Sequence, residues 1–143
     1  MTADRVGVLD TSTLILIDGL DPEQLPGEPV ITAVTLAELS VGPLVATDDA
    51  ERAARQARLQ QVEAAFEPLP FDVGAARAFG QVAASLRRSG RKRAARAFDA
   101  MIAAIAVARD LPVCTCNPRD FDGIDGLRIE AIPHPGARRS SRP

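Results

Sequence analysis

Four acidic residues in this chain sit where acids are out of place. Asp10 closes the apolar run from Val6 to Leu9. Glu38 is set among Leu36, Ala37 and Leu39, and Asp99 among Phe98, Met101 and Ile102. Asp120 follows another apolar stretch, in Asn117-Pro118-Arg119-Asp120-Phe121. A carboxylate among apolar neighbours is costly unless something compensates its lost hydration. Carboxylates gathered together also repel, and without a cation some stay protonated. Mg²⁺ or Mn²⁺ takes such oxygen ligands while keeping several waters. It lowers the pKa of a coordinated water and stabilises charge building on a phosphoryl group. The chemistry suggested is in-line hydrolysis of a phosphodiester, leaving a 5′-phosphate and a 3′-hydroxyl. Such a mechanism does not use the ribose 2′-hydroxyl as nucleophile.

Each acid has a plainer reading. Asp10 suits a helix cap in Asp-Thr-Ser-Thr, Glu38 an exposed helical position, and Asp120 a surface turn. Asp99 suits an ion pair with Arg96, one turn earlier. Other chemistries are poorly equipped. The single lysine, Lys92, belongs to no Gly-x-x-x-x-Gly-Lys loop, which excludes a P-loop nucleotidase. The single histidine, His134, lies in a Pro-His-Pro context near the end, a poor place for a triad base. Thr11 and Ser12 follow Asp10 where an aspartate-nucleophile phosphatase needs a second aspartate. Cys114 and Cys116 are two apart, so on a strand they face opposite ways and form neither a disulfide nor a zinc site. Two reduced, half-buried thiols are expected.

The elements that must position the acids are short. An apolar strand over 6–9 leads into a helix over 12–17, capped by Asp10 or a hydroxyl. A loop over 21–29 precedes a strand over 30–32 and a helix over 34–41, broken by Gly42-Pro43. A long helix spans 48–66, opened by acids that suit its N-terminus. Residues 68–71 are a candidate strand. Asp72 caps a helix closed by Gly90, and a buried helix covers 94–109. A strand over 112–115, a turn at Asn117-Pro118 and a strand over 127–132 complete the order. Strands alternating with helices predict a parallel sheet covered on both faces. In such a sheet, positions just past the strand ends converge on one edge.

The 143 residues fit one domain, here 1–135, followed by a flexible Arg/Ser/Pro tail over 136–143. Hydrophobic residues make up 46%, enough for one core, and no apolar run is long enough for a membrane span or a secretory signal. A soluble cytoplasmic protein is expected. Net charge is −2, but Arg87, Arg88, Arg91, Lys92, Arg93 and Arg96 form a basic run without an acid among them. It reads either as a solvated face or as a phosphate-contacting patch. With no Trp or Tyr, base stacking falls to Phe rings or Arg planes.

At these residues the sequence resembles the PIN-domain family, and within it the VapC toxins of bacterial toxin–antitoxin modules. The matching pieces are Val8-Leu9-Asp10-Thr11-Ser12, Thr35-Leu36-Ala37-Glu38-Leu39, Arg96-Ala97-Phe98-Asp99-Ala100 with the Met101-Ile102-Ala103-Ala104 that follows, and Thr115-Cys116-Asn117-Pro118-Arg119-Asp120-Phe121. The resemblance covers about residues 6–132. It implies a three-layer α/β fold, Mg²⁺ or Mn²⁺, endoribonuclease activity on tRNA or ribosomal RNA, and a cognate VapB-type antitoxin. A homodimer or a toxin–antitoxin hetero-oligomer is expected. By motif, Asp10, Glu38, Asp99 and Asp120 are the catalytic and metal-ligating acids, with Ser12, Thr115 and Asn117 as polar support. Arg96 matches a basic residue before the third acid. The six basic residues of the run are the candidate RNA contacts.

The chain departs from the family pattern in two places. Cys116 stands where arginine is frequent, and Asp122 lies close enough to Asp120 to share the fourth position. Leu14, Leu16, Leu36, Leu39 and Leu59 suggest an apolar groove near 12–20 and 34–66 for an antitoxin segment. Two alternatives stay open: a PIN-like module that binds RNA or protein without cutting, and a DNA nuclease on the same fold.

Overall fold

The computed structural model describes residues 5–90 and 97–135. Its centre is a four-stranded sheet of β1 (Val6–Leu9), β2 (Glu28–Val30), β3 (Val113–Thr115) and β4 (Ile129–Ala131), in the order β2-β1-β3-β4. All three pairings are parallel. The helices are α1 (Thr11–Ile15), α2 (Ala33–Val45), α3 (Asp49–Ala65), α4 (Val73–Arg88) and α5 (Ala97–Ala108). Short 3-10 turns at Ile17–Gly19, Pro22–Gln24 and Pro118–Phe121 link them.

Alternation along the strands divides the core in two. Successive side chains on a strand point to opposite faces. Val8 and Val113 accordingly pack with α4, α5 and Phe121, while Leu9 and Cys114 pack with Leu14, Leu39 and Val62 on the other face. Helices therefore cover both faces, giving the expected three-layer α/β arrangement. Helix α5 buries Ala100 and every residue from Ile102 to Ala106, and its alanines let α4 pack closely against it. Gly7 is required in β1, because an added Cβ would lie 2.5 Å from Cys114 Sγ. Both cysteines are free, Cys114 buried and Cys116 partly so.

Several boundaries differ from the sequence expectation, each for a local reason. The second strand lies at Glu28–Val30 rather than 30–32, since Thr32 instead caps α2, accepting from Thr35 N at 3.3 Å. Pro29 is tolerated because β2 is an edge strand. Helix α2 is not broken at Gly42-Pro43 but continues to Val45. Pro43 costs the bond to Leu39 O only in the last turn, and its ring is buried. The Gly42 carbonyl, one of the last four of α2 and so without a partner inside the helix, accepts from Arg55 Nη1 at 2.9 Å. Residues 68–71 form no strand. Pro68 and Pro70 lack N–H donors, so only Leu69 makes a bridge, to Thr32.

The caps on the longer helices match expectation. Asp48 Oδ1 accepts from Glu51 N at 2.8 Å and Asp72 Oδ1 from Ala75 N at 3.0 Å. Gly90 adopts φ +77° just past α4, the left-handed turn that ends helices. The tail over 136–143 and the residues from 91 to 96 lie outside the described residues.

Candidate functional site

Leu9 pairs with Cys114 across β1 and β3, so Asp10 and Thr115 stand side by side at the edge where these strands end. Asp10 is 1% exposed. It occupies the N-cap position of α1, yet its carboxylate caps no backbone N–H. The plain capping reading therefore does not hold. Ser12 Oγ donates to Oδ2 at 3.1 Å, while the buried Oδ1 has no hydrogen-bond partner. Burial raises the Asp10 pKa above the ordinary carboxylate value, and the hydroxyls of Thr13, Thr115 and Ser12 offset only part of that.

Glu38 reaches the same edge from α2. Thr11, the first residue of α1, donates its hydroxyl to Glu38 Oε1 and lies 2.9 Å from the hydroxyl of Thr35. Burial raises the Glu38 pKa, the Thr11 hydrogen bond lowers it, and the charge of Asp10 raises it again. The two acids are thus close enough to feel one another.

The polar residues around them form a connected set. Asn117 Nδ2 donates to Ser12 Oγ at 3.0 Å, and Asn117 N donates to Thr115 Oγ1 at 2.9 Å. Cys116 N donates to the buried Thr13 Oγ1 at 2.9 Å. Through these bonds the loop after β3 is tied to α1, and Ser12 is aimed at Asp10. Burial chiefly raises the Cys116 thiol pKa, the Thr13 hydrogen bond lowers it, and the charge of Asp10 raises it again. Sequence reasoning missed the parts played by Thr11, Thr13 and Thr35. The signal was present in the hydroxyl cluster after Asp10, read there as helix-capping.

Asp99 lies half-buried in the first turn of α5, and Asp120 half-buried in the turn Pro118–Phe121. Asp122 is exposed. Helix α5 packs against both α2 and that turn, so the elements bearing all four acids adjoin. Between Asp10 and Glu38 the charge of Asp10 raises the Glu38 pKa. Among the described residues, no three acid, imidazole or thiol groups are gathered around one metal-sized position. Of the basic run, Arg87 and Arg88 end α4 and are exposed, with Arg88 Nη2 bonded to Asp125 Oδ2 at 2.7 Å. Arg91, Lys92, Arg93 and Arg96 lie outside the described residues.

The expected apolar groove is only partly formed by the leucines named for it. Leu14 and Leu39 are core residues, and Leu16 and Leu59 pack against that core. A trough of about 480 Å³ does open between α1 and α3, with apolar walls at Leu14, Ile15, Val62 and Phe66 and polar ones at Asp18, Arg58 and Gln61.

A sheet of this order, with an acid pair past its central strands, defines a class of α/β domain, and comparison with known proteins supplies the family. The sequence profile of the PIN domain matches residues 8–127. Ribonuclease VapC5 of Mycobacterium tuberculosis is 43% identical over 128 residues, covering 87% of this chain and 92% of that protein. The tRNA(fMet)-specific endonuclease VapC of Shigella flexneri is 37% identical over 108 residues, covering 73% of this chain and 75% of that protein. The crystal structure of VapBC-5, a VapBC-family toxin–antitoxin system from Mycobacterium tuberculosis, superposes with a TM-score of 0.76 at 41% identity, covering 88% of this chain and 98% of that one. The chain belongs to the PIN-domain family. Among the described residues, no helix is long and apolar enough to cross a membrane.

Proposed function

We propose that this chain is the endoribonuclease toxin of a toxin–antitoxin pair, hydrolysing RNA phosphodiesters at the edge formed by Asp10 and Glu38. The observation that carries this reading is the buried, unpartnered Oδ1 of Asp10 beside a second desolvated acid. Such a pair suits a divalent cation, since a positive charge would offset both desolvation and mutual repulsion. Ribonucleases of this family are generally metal-dependent, and the oxygen-only donor set favours Mg²⁺ or Mn²⁺. When bound, the ion supplies an activated water and counters charge on the phosphoryl oxygens.

The chain's own residues then have separate tasks. Asp10 and Glu38 would hold the ion, and Asp99 and Asp120 would complete the acidic set from α5 and the turn after β3. Asp120 takes the fourth place over Asp122, because it is half-buried on the turn packed against α5 whereas Asp122 is exposed. Ser12, Thr115 and Asn117 keep the Asp10 carboxylate oriented, and Thr11 does the same for Glu38. Residues 1–135 form the nuclease domain and 136–143 an appended tail.

The relatives support the partner and the substrate. A VapB-type antitoxin is expected to lay an apolar segment in the trough between α1 and α3. Transfer RNA is the first substrate to try, given the name of the Shigella relative. The free protein is expected as a homodimer and the paired one as a hetero-oligomer. The decisive experiment compares intact protein with Asp10→Asn and Glu38→Gln, on RNA and on DNA of the same sequence, with Mn²⁺ binding followed by calorimetry. Loss of cleavage and of Mn²⁺ binding in both variants supports the reading. Unchanged cleavage of RNA by both would remove it, and equal cutting of DNA would redirect it.

A further inference from the structure

Helix α3 carries three arginines on the side of α2, and their surroundings differ. Arg52 Nη1 bonds to Asp49 Oδ1 at 2.7 Å. Arg55 is held twice, by Glu51 Oε1 at 2.8 Å and by the Gly42 carbonyl at 2.9 Å. Arg58 is exposed and, among the described residues, makes no ion pair or hydrogen bond. Arg55 and Arg58 are three apart, so they share one face of the helix. Both line a cavity of about 320 Å³ whose other walls include Thr11, Ile15 and Glu38. Of the four acids Glu38 alone lines this cavity, which therefore borders the acidic site on its α2 side, with one braced and one uncommitted guanidinium on the wall it shares with Glu38.

We propose that Arg58 binds a backbone phosphate of the RNA next to the one being cut; this rests on the nuclease reading above. A guanidinium offers a planar fork of donors that matches phosphate oxygens in pairs. It also supplies, beside an acidic centre, the positive charge that draws a polyanion toward that centre. The role of Arg55 is to brace the wall, since its two terminal nitrogens are held by the Gly42 carbonyl and by Glu51. The cavity has room for a phosphate and part of its ribose but not for a packed helix, whose width is roughly 10–12 Å. The candidate antitoxin groove is the neighbouring trough between α1 and α3, which Arg58 also borders and where Asp18 and Gln61 stand among apolar side chains. Arg58 on α3 thus joins the basic run from Arg87 to Arg96 as a candidate source of positive charge at the rim of the site.

The test uses the full chain carrying Asp10→Asn, so that RNA is bound without being cut, and fluorescein-labelled bacterial tRNA as the probe. Adding Arg58→Ala is expected to weaken binding about tenfold. It should also make the salt dependence shallower by roughly 0.7 in the log–log slope, the share of one phosphate contact on a single strand. In the chain with Asp10 intact, Arg58→Ala should raise KM with little change in kcat, and Arg58→Lys should restore the slope but only part of the affinity. Arg58 is exposed, and a circular dichroism spectrum matching the parent confirms folding. Unchanged affinity and slope, in a protein that still cleaves RNA, overturn the proposal and leave the nuclease reading standing. Unchanged RNA binding with weakened inhibition by the coexpressed antitoxin assigns Arg58 to the protein partner and overturns it too. Absence of RNA cleavage by the intact chain overturns both readings together.

Discussion

Thr11 and Glu38 lie 27 positions apart in sequence, yet the Thr11 hydroxyl donates directly to Glu38 Oε1. Thr11 starts α1 next to Asp10, and Glu38 sits in the second turn of α2, so this bond fixes the distance between the two acids. The bond favours the ionised form of Glu38, against burial and against the charge of Asp10. Removing it tests that balance. Thr11→Val should raise the Glu38 pKa and move the acidic limb of the pH–rate profile to higher pH. Cleavage at neutral pH should fall roughly tenfold. A profile that does not move would show that the hydroxyl has no hold on Glu38.

Asp10 predicts an uncommon pH dependence of stability. Its folded pKa is raised above the usual 3.8, and that of Glu38 above 4.5. Between its unfolded and folded pKa values, such an acid binds more protons folded than unfolded. Its contribution is therefore most favourable below the unfolded pKa and is lost as pH rises through the folded one. In chelator, the melting temperature of the intact chain relative to that of Asp10→Asn should fall as pH climbs from below 3.8 toward neutrality. Added Mn²⁺ at neutral pH should restore it. Scanning calorimetry of the two chains checks both effects.

Asn117 acts on Asp10 through Ser12. Its side-chain nitrogen holds Ser12 Oγ at 3.0 Å, and Ser12 in turn donates to Asp10 Oδ2. Asn117→Ala should weaken Mn²⁺ affinity by about tenfold or more, in line with losses of outer supporting groups elsewhere. Ser12→Ala should do the same, and the double variant little further, since the two residues act in series. Additive losses measured by calorimetry would break that chain.

Gly7 is held open for Cys114. A Cβ at position 7 would meet Sγ at 2.5 Å and Pro26 Cβ at 3.1 Å. Gly7→Ala should cost about 1–3 kcal/mol of stability. Gly7→Ala with Cys114→Ala should recover much of it, because the nearest obstruction is then gone. Urea unfolding of the three proteins decides this; equal losses in the single and double variants would point to Pro26 instead.

Much of the fold was legible because its signals are local. The run ending at Asp10, the caps at Asp48 and Asp72 and the buried alanine-rich stretch of α5 each announce their element within a few residues. Misreadings arose where local rules compete with packing. Gly42-Pro43 looks like a helix stop, but Arg55 from α3 takes the exposed carbonyl and the helix continues. Pro68 to Phe71 looks like a strand, but its prolines leave only Leu69 to bridge.

By itself the amino-acid order determined which elements form, which residues are acids set among apolar neighbours, and that β1 and β3 alternate between two cores. Those properties depend on spacing and side-chain type, which are written along the chain. Only the tertiary structure decided that Thr11 binds Glu38, that Asn117 steadies Ser12, and that an uncommitted Arg58 lines one cavity with Glu38. These contacts join residues far apart in sequence. Their geometry depends on how helices settle on a twisted sheet, which no local pattern encodes.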